Sequence, residues 1–265
     1  MTLPKSIPGN ILRGLAWAGV LFLIAPLLVV IPVSFTPERY LSFPSEALSL
    51  RHYETLLFDR RWSGGILTSL LIAGITTLLS VVIGTLCAVG MWRIGGRRMQ
   101  LLRLMILAPL IVPSIVHALA FYKSWIDLGW LDTVWGVIVA HTTICVPLVM
   151  ITVSAALSGF DHRLEYAARS LGARPVTVLR RVILPNILPG VVSGGIFAFI
   201  TSWDEIIVIL FITARKVRTL PQTIWSSIME RVDPAVAAIS TVMVAATLTA
   251  VIIKLVLARR AAPQT

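Results

Sequence analysis

EYAARSLGARPVTVLRRVILPNILPG, residues 165–190, lies between two long apolar runs and decides how the rest of the chain is interpreted. The stretch is rich in arginine and contains one glutamate, a central glycine and three prolines. It is too polar to cross a bilayer, yet too apolar and too regular to be a flexible linker. A basic, partly apolar helical loop between membrane segments therefore needs a function of its own.

The composition of the whole chain indicates a helical membrane protein. Of its 265 residues, 57% are hydrophobic and 13% are charged, whereas a soluble domain has about 45–50% and 25%. The apolar residues fall into runs of about 20, the length of a helix that crosses the hydrocarbon core. The sequence predicts an all-α integral membrane bundle, a single transmembrane domain over 1–265, with six spans at 14–34, 66–91, 101–121, 134–155, 190–211 and 235–257.

The distribution of charge predicts the orientation of these spans. If the N-terminus is cytoplasmic, most of the 23 Lys and Arg residues lie on inside segments, and most of the 12 acidic residues lie outside. Because cytoplasmic loops are enriched in Lys and Arg, we predict an N-in/C-in topology. This topology explains the net charge of +11 without nucleic-acid binding. It places a cytoplasmic loop at about 156–189 and external segments at about 35–64 and 212–234.

Sequence motifs for catalysis or nucleotide binding are missing from the chain. It has no G-x-x-x-x-G-K-[ST] loop, no H-E-x-x-H and no C-x-x-C. His117 and His141 lie within spans, where a lone histidine is expected to hydrogen-bond between helices. Cys87 and Cys145 are expected to be small packing residues. Tryptophans near the predicted span ends are expected to anchor the headgroup region: Trp62, Trp92, Trp125, Trp130 and Trp135.

The opening stretch is predicted to form two short helices joined by a corner. Asp161 is a suitable N-cap for the first helix, and Gly172 supplies the corner. Pro175 suits the first turn of the second helix, which Pro185 and Pro189 would delimit. The first helix presents small residues that allow another protein to approach closely, and helix-in-groove docking is a common recognition mode.

This loop resembles the cytoplasmic loop of ABC-transporter permeases, whose pattern is E-A-A, three residues, G, nine residues, I-x-L-P. Val182 stands where isoleucine is usual, and Tyr166 stands where the glutamate usually falls, with Glu165 before it. In that family the loop docks into a cleft on the ATPase subunit, so the resemblance implies coupling through Glu165, Tyr166 and the positions that match the pattern: Ala167, Ala168, Gly172, Leu184 and Pro185.

The resemblance extends along nearly the whole chain. YLSFPSEALSLRHYETLLFD, VPSIVHALAFY, AHTTICVPLVMITVSAALSGFD and SWDEIIVILFIT are similar to the permeases that import polyamines and related small solutes. The implied fold is that of a type I ABC importer permease in the bacterial inner membrane. The implied partners are ATPase subunits, a second permease (expected as a heterodimer), an external solute-binding protein and membrane lipid. ATP and Mg would be bound by the partner ATPase, with no cofactor in this chain.

Three residues of the fifth predicted span are candidates for the solute path. Asp204 and Glu205 lie about 20 Å along the helix from residue 190, and ionisable groups at such depth usually face a bundle interior or a wet cavity. They either attract a cationic solute or order the bundle through hydrogen bonds. Trp203 could stack on the solute, although packing is favoured. Prolines in spans three and four could open a cavity or simply kink the helices: Pro109, Pro113 and Pro147.

Several functions are compatible with these features. The expected function is the permease subunit of an ATP-driven importer, with putrescine or spermidine as the first choice of solute. Alternative solutes are amino-acid-like amines, aminophosphonates and ferric iron. A proton-coupled secondary transporter, with Asp204 and Glu205 as a relay, would leave the arginine-rich loop without a role. A channel would need a selectivity filter, and no such sequence is recognised.

Overall fold

The computed structural model describes residues 9–44, 47–230 and 232–261. Parts of both predicted external segments and the extreme ends of the predicted domain lie outside these residues. All regular secondary structure in the described part is helical, as predicted. Its helices are α1 Gly9–Val33, α2 Arg51–Phe58, α3 Arg60–Ile94, α4 Gly96–Leu107, α5 Ser114–Leu128, α6 Val134–Ser158, α7 His162–Ser170, α8 Pro175–Val178, α9 Leu184–Asp204, α10 Ile207–Ile212, α11 Leu220–Glu230 and α12 Ala235–Ala261.

The apolar spans are confirmed, with changes in the third and the fifth. Among the described residues, five helices are long and apolar enough to cross a membrane. The third predicted span, 101–121, is not one straight helix. Its two halves, Gly96–Leu110 and Ser114–Leu128, meet at an angle of 98°. Pro113 ends the first half because the residue before a proline disfavours helical geometry and the proline offers no N–H.

The fifth span also differs from its prediction. Pro185 and Pro189 do not separate a short helix from the span, because helical structure runs without interruption from Pro175 to Asp204. A π-helical turn at Leu179–Ile183 lies in the middle of this run, and Pro185 occupies the first turn of α9, where its missing N–H costs little. At the other end the helix stops at Asp204, well short of 211.

The chain divides into two compact units. The first unit contains residues up to Ser63 together with those from Ile224 onward. In it α12 packs against α1 and α2. The Asp233 Oδ1 atom accepts the Ala235 N–H at 2.9 Å and caps the start of α12. The segments predicted to be external contain the short helices α2 and α11.

The second unit contains Gly64–Thr223 and holds the two main apolar cores. Helices α6 and α9 form its closest pair. His141 Nδ1 lies 2.9 Å from Ser202 Oγ, so this histidine joins α6 to α9 as predicted. Cys145 is fully buried, and Cys87 and Cys145 are both free thiols.

Two of the expected interfacial tryptophans are instead buried inside the protein. Trp62 is 1% exposed and Trp125 is 6% exposed. The Trp125 Nε1–H donates to the Gly136 carbonyl at 3.0 Å, so its polar atom is satisfied without headgroups or water. A tryptophan near a span end can face either lipid or a neighbouring helix, and its position in the sequence does not show which. The prediction for Trp62 and Trp125 was wrong for this reason. Trp135, in contrast, is exposed.

Candidate coupling loop and solute path

The first helix of the candidate loop begins and ends as predicted. Asp161 Oδ1 accepts the Arg163 N–H at 2.9 Å and caps α7. Gly172 has φ +84°, in the left-handed region that glycine adopts without strain. Its N–H donates to the Arg169 carbonyl at 2.9 Å, and the Ala173 N–H donates to the Ala168 carbonyl at 3.1 Å. These bonds close the helix end and turn the chain sharply.

The second half of the loop is anchored in the core of its unit. Val178, Ile183 and Ile187 are fully buried, and they share a core cluster with Val153 and Leu157 of α6. The expected free-standing second helix is therefore the packed beginning of the fifth span. A displacement of this segment would be transmitted directly into α9, because the helical run has no hinge of extended chain before Asp204.

Glu165 faces the protein and not the solvent. Its carboxylate Oε1 lies 2.7 Å from Arg169 Nη2 and 3.6 Å from Arg93 Nη2 at the end of α3. Beside this bridge, the Trp92 ring stacks on the His162 ring with centroids 4.8 Å apart. An ion bridge and a ring stack thus tie α7 to the end of α3. Sequence analysis identified Glu165 but not Arg93, which carries no local motif.

The outward surface of the loop is apolar with a basic border. Tyr166 is 66% exposed and Leu171 is 88% exposed, and Ala167 lies on the exposed side with them. Ala168 is half-buried, and Leu184 and Pro185 are exposed. Exposed apolar side chains surrounded by arginines are typical of a protein-binding surface. The apolar residues of this surface are Leu164, Tyr166, Ala167, Leu171 and Val176, and the arginines of its border are Arg163, Arg169, Arg174, Arg180 and Arg181.

The two candidate carboxylates of the solute path have different environments. Asp204 and Glu205 were predicted to lie on one continuous helix. The helix instead ends at Asp204, and Glu205 lies beyond it. Glu205 Oε1 accepts the Val208 N–H at 3.0 Å and caps α10. Asp204 is exposed and makes no hydrogen bond or ion pair with the other described residues. Trp203 stacks on Phe199, with ring centroids 6.0 Å apart.

A cavity of about 470 Å³ adjoins the break in the third span. It lies within the second unit and is largely apolar, with two threonines of α6 on its wall. Pro109 and Pro147 both line it, although Pro147 does not interrupt α6, which continues from Val134 to Ser158. The full lining is Leu79, Ile83, Met105, Ile106, Pro109, Val139, Thr142, Thr143, Val146 and Pro147.

Sequence analysis missed the glycines that bring α6 and α9 together. A Cβ atom at Gly190 would lie 2.6 Å from the Ala156 Cβ, and one at Gly194 would lie 2.9 Å from the Val149 Cα. The two positions form a G-x-x-x-G pattern, GVVSG, that lets helix backbones approach closely in membranes. This motif was available in the sequence and would have predicted the central helix pair.

Asp132 is a second residue that sequence analysis missed. Its carboxylate accepts four consecutive backbone N–H groups at 2.9–3.1 Å, from Ala214, Arg215, Lys216 and Val217. Its own N–H donates to the Ile212 carbonyl at 2.8 Å. Burial of the carboxylate opposes ionisation, but the four N–H donors hold the pKa of Asp132 well below its ordinary value. Asp132 therefore folds the connection that follows α10.

We expect Asp132→Asn to open this connection to trypsin, which cleaves after Arg215, Lys216 and Arg218. An amide has one acceptor oxygen where the carboxylate has two. Each charge-assisted hydrogen bond that is lost costs about 1.5–3 kcal/mol. This loss in the stability of the closed connection corresponds to at least about tenfold faster cleavage. Asp127→Asn, on the exposed end of α5, is the matched control. Cleavage of both variants at the rate of the unchanged protein would contradict this role.

The lowered pKa also predicts how the connection responds to pH. A carboxylate with a depressed pKa stabilises the folded state above its unfolded pKa of about 3.9, and the contribution is lost as pH falls towards the folded value. The ratio between the trypsin cleavage rates of Asp132→Asn and of the unchanged protein, measured at the same pH, should therefore stay constant between pH 5 and pH 8. A decline within that range would mean that another group holds the connection.

These features are those of a transport subunit: a bundle of apolar spans, an interhelical close contact, and a basic loop packed into the foot of one span. The chain belongs to the family of binding-protein-dependent transport system inner membrane components, which it matches over residues 80–263. It is an inner-membrane permease component of an ABC importer.

Relatives within the family give a closer comparison. The chain is 32% identical over 239 residues to the spermidine/putrescine transport system permease protein PotC of Haemophilus influenzae, covering 90% of this chain and 93% of the relative. It is 31% identical over 238 residues to the putrescine transport system permease protein PotI of Escherichia coli K12, covering 86% and 83%.

A solved structure supports the fold. The chain resembles one chain of a bacterial ABC transporter involved in the import of the acidic polysaccharide alginate, with a TM-score of 0.72. The match covers 98% of this chain and all of the other, at 14% sequence identity. At that identity the comparison concerns the arrangement of helices alone, and it confirms the expected ABC importer permease fold.

Proposed function

We propose that this permease imports a polyamine such as putrescine or spermidine, driven by ATP hydrolysis in a separate ATPase subunit that binds the loop at 156–189. The observation that carries the coupling is the loop itself, because its apolar surface is exposed while its second half is the packed beginning of the fifth span. Its orientation would be N-in/C-in. A second permease would complete the path, and the external segments would receive the solute-binding protein.

The choice of solute rests on the relatives and on Asp204. PotC and PotI are named for spermidine and putrescine transport. Asp204 offers an exposed carboxylate within an apolar segment, and such a charge is costly unless it meets a cation or water. The more distant relative PhnU of Salmonella typhimurium, 28% identical over 255 residues, is named for putative 2-aminoethylphosphonate transport. Aminophosphonates are therefore the first alternative solutes to assay.

Co-purification and uptake test the proposal together. The chain, expressed with its neighbouring permease, ATPase and solute-binding genes, should bring down the ATPase and support ATP-dependent accumulation of radiolabelled putrescine in proteoliposomes. Uptake that follows a proton gradient without ATPase would favour the secondary-transport alternative. Accumulation of 2-aminoethylphosphonate but not putrescine would retain the ATP-driven mechanism and replace the solute.

We expect Asp204→Asn to reduce putrescine uptake about tenfold or more without lowering thermal stability, since a lost charge–charge contact of 1.4 kcal/mol is worth a factor of ten. Glu205→Gln should behave differently. The glutamine oxygen can still cap α10, so uptake and stability should stay near those of the unchanged protein. Glu205→Ala removes the cap and should lower stability by about 1 kcal/mol. Normal uptake by Asp204→Asn would remove Asp204 from the path.

We expect Glu165→Gln to lower uptake while the ATPase stays bound. The neutral side chain leaves the Arg93 and Arg169 guanidinium groups without their carboxylate and weakens the link between α7 and α3. Arg93→Gln removes one of the two partners of Glu165, so the double variant should be no worse than Glu165→Gln alone. Glu54→Gln, at an exposed glutamate of α2, is the control. Additive losses would show that the two residues act separately.

A further inference from the structure

A polar cavity of about 350 Å³ lies entirely within the first unit. It is enclosed by α2, the first turn of α3, the end of α11 and the turn before α12. Three arginines, two carboxylates and several neutral polar groups converge on it. The lining residues are Arg39, Arg51, His52, Thr55, Arg61, Ser227, Glu230, Asp233 and Pro234.

Hydrogen bonds hold the walls of this cavity in place. His52 is 5% exposed, and its Nε2 lies 3.0 Å from the Glu38 carbonyl oxygen, next to Arg39. Arg61 Nη2 donates to Ser226 Oγ at 2.7 Å. Beside His52 in α2, the Tyr53 hydroxyl lies 2.7 Å from Ser34 Oγ, which helps to hold α2 in place. A cavity whose walls are already fixed loses little conformational entropy when a ligand enters.

Most of the negative charge in the cavity is already engaged. Asp233 Oδ1 accepts the Ala235 N–H at 2.9 Å. Glu230 lies 3.7 Å from Arg61 Nη2. Arg39 and Arg51 form no ion pair within the described part of the chain. The cavity therefore carries an excess of positive charge. Arg39 and Arg51 can both donate hydrogen bonds to a further anion.

Buried donor groups give an independent indication of the same ligand class. Ser227 is 2% exposed and lines the cavity, yet its hydroxyl has no hydrogen-bond partner among the described residues. The buried Arg61 Nε is also unpartnered there. A buried donor without an acceptor costs about 1–3 kcal/mol, which an entering acceptor would recover. Arg61 Nε can only donate, so it favours an anion over a cation, and the Ser227 hydroxyl can donate to the same anion.

We propose that this cavity receives a carboxylate side chain of the solute-binding partner when that protein docks on the permease. The inference rests on the proposed function, which puts the segments 35–64 and 212–234 on the external face. Arginine pairs with carboxylates through parallel N–H donors. Tyr40 and Leu50, which adjoin the lining residues Arg39 and Arg51 in the sequence, are exposed, and exposed apolar residues fit a protein interface better than a free ion site.

The same charge balance excludes the transported solute from this cavity. Putrescine and spermidine are polycations, and three arginines against two engaged carboxylates repel them. The cavity is therefore a docking site and not an entrance for the solute. Charge pairing at such a site would set the position of the partner and the rate of its association.

The test uses the complete transporter in nanodiscs with its solute-binding protein. Arg51→Glu and Arg39→Glu should each weaken binding of that protein by about tenfold or more. Basal ATP hydrolysis and ATPase association should not change, since both depend on the loop at 156–189. Arg60→Glu is the matched control, because Arg60 adjoins Arg61 but does not line the cavity, and binding should stay within about twofold.

A second arm identifies the partner group. Asp→Lys and Glu→Lys variants of the solute-binding protein should include one that restores binding to Arg51→Glu. Unchanged binding by both arginine variants overturns the inference, as does a loss that occurs only with anionic lipid, which would assign the cavity to a headgroup phosphate. Failure of the unchanged transporter to bind the ATPase would instead overturn the proposed function.

Discussion

Gly190→Ala is expected to destabilise the permease more than any conservative change on the surface. The added Cβ would lie 2.6 Å from the Ala156 Cβ and 2.8 Å from the Thr152 carbonyl oxygen. Because one of these neighbours is backbone, α6 and α9 must separate, and overpacking of this kind costs about 1–3 kcal/mol. The measurement is thermal unfolding of the detergent-solubilised chain, followed by fluorescence-detected size exclusion.

Gly74→Ala is the matched control for this prediction. Gly74 lies in α3, and a Cβ there would meet no heavy atom within 4 Å. The same chemical change should leave the melting temperature unchanged or raise it slightly, because alanine favours helix over glycine. Adding Ala156→Gly to Gly190→Ala should restore part of the loss. Equal melting temperatures for the Gly74 and Gly190 variants would contradict the close contact.

Gly172→Pro is expected to abolish ATP-dependent uptake and ATPase co-purification. Proline holds φ near −65°, whereas Gly172 has φ +84°. Proline also removes the N–H that donates to the Arg169 carbonyl at 2.9 Å. The corner between α7 and α8 must therefore reorganise, and the apolar surface that we propose for the ATPase would be lost with it.

The Gly172→Ala variant tests the left-handed backbone conformation of Gly172 separately from the hydrogen bond that its N–H donates. It keeps the N–H and can adopt the left-handed region at a cost of about 1–2 kcal/mol, so intermediate coupling is expected. Gly159→Ala, at a glycine with φ −93°, should couple normally. A Gly172→Pro variant that binds the ATPase at full stoichiometry and transports normally would refute the assignment of this loop to coupling.

Much of the fold could be predicted because the relevant signals are local. Runs of about 20 apolar residues define spans, whatever their neighbours. The N-cap Asp161 and the corner Gly172 were predicted correctly, because capping and left-handed backbone depend on residues within one turn. The candidate coupling loop was located by the same kind of signal, a pattern of fixed spacing over 167–185.

Other features depended on contacts between segments far apart in the chain. Neither Arg93 nor Asp132 lies in a motif, and their partners are 72 and 80 or more positions away. Whether Glu165 faced the solvent or α3 was likewise a question of packing. The different roles of Asp204 and Glu205 followed from a helix end that no local signal marks.

Sequence patterns were sufficient to identify a helical membrane permease with a basic loop before its fifth predicted span. Hydrophobic length and residue spacing are properties of the chain alone, and a bilayer requires every span to satisfy its own backbone hydrogen bonds. Packing between segments, in contrast, settled how the loop is anchored, where the fifth span ends, and which charges converge on the arginine-rich cavity. These depend on close packing between distant segments, which the order of residues does not display.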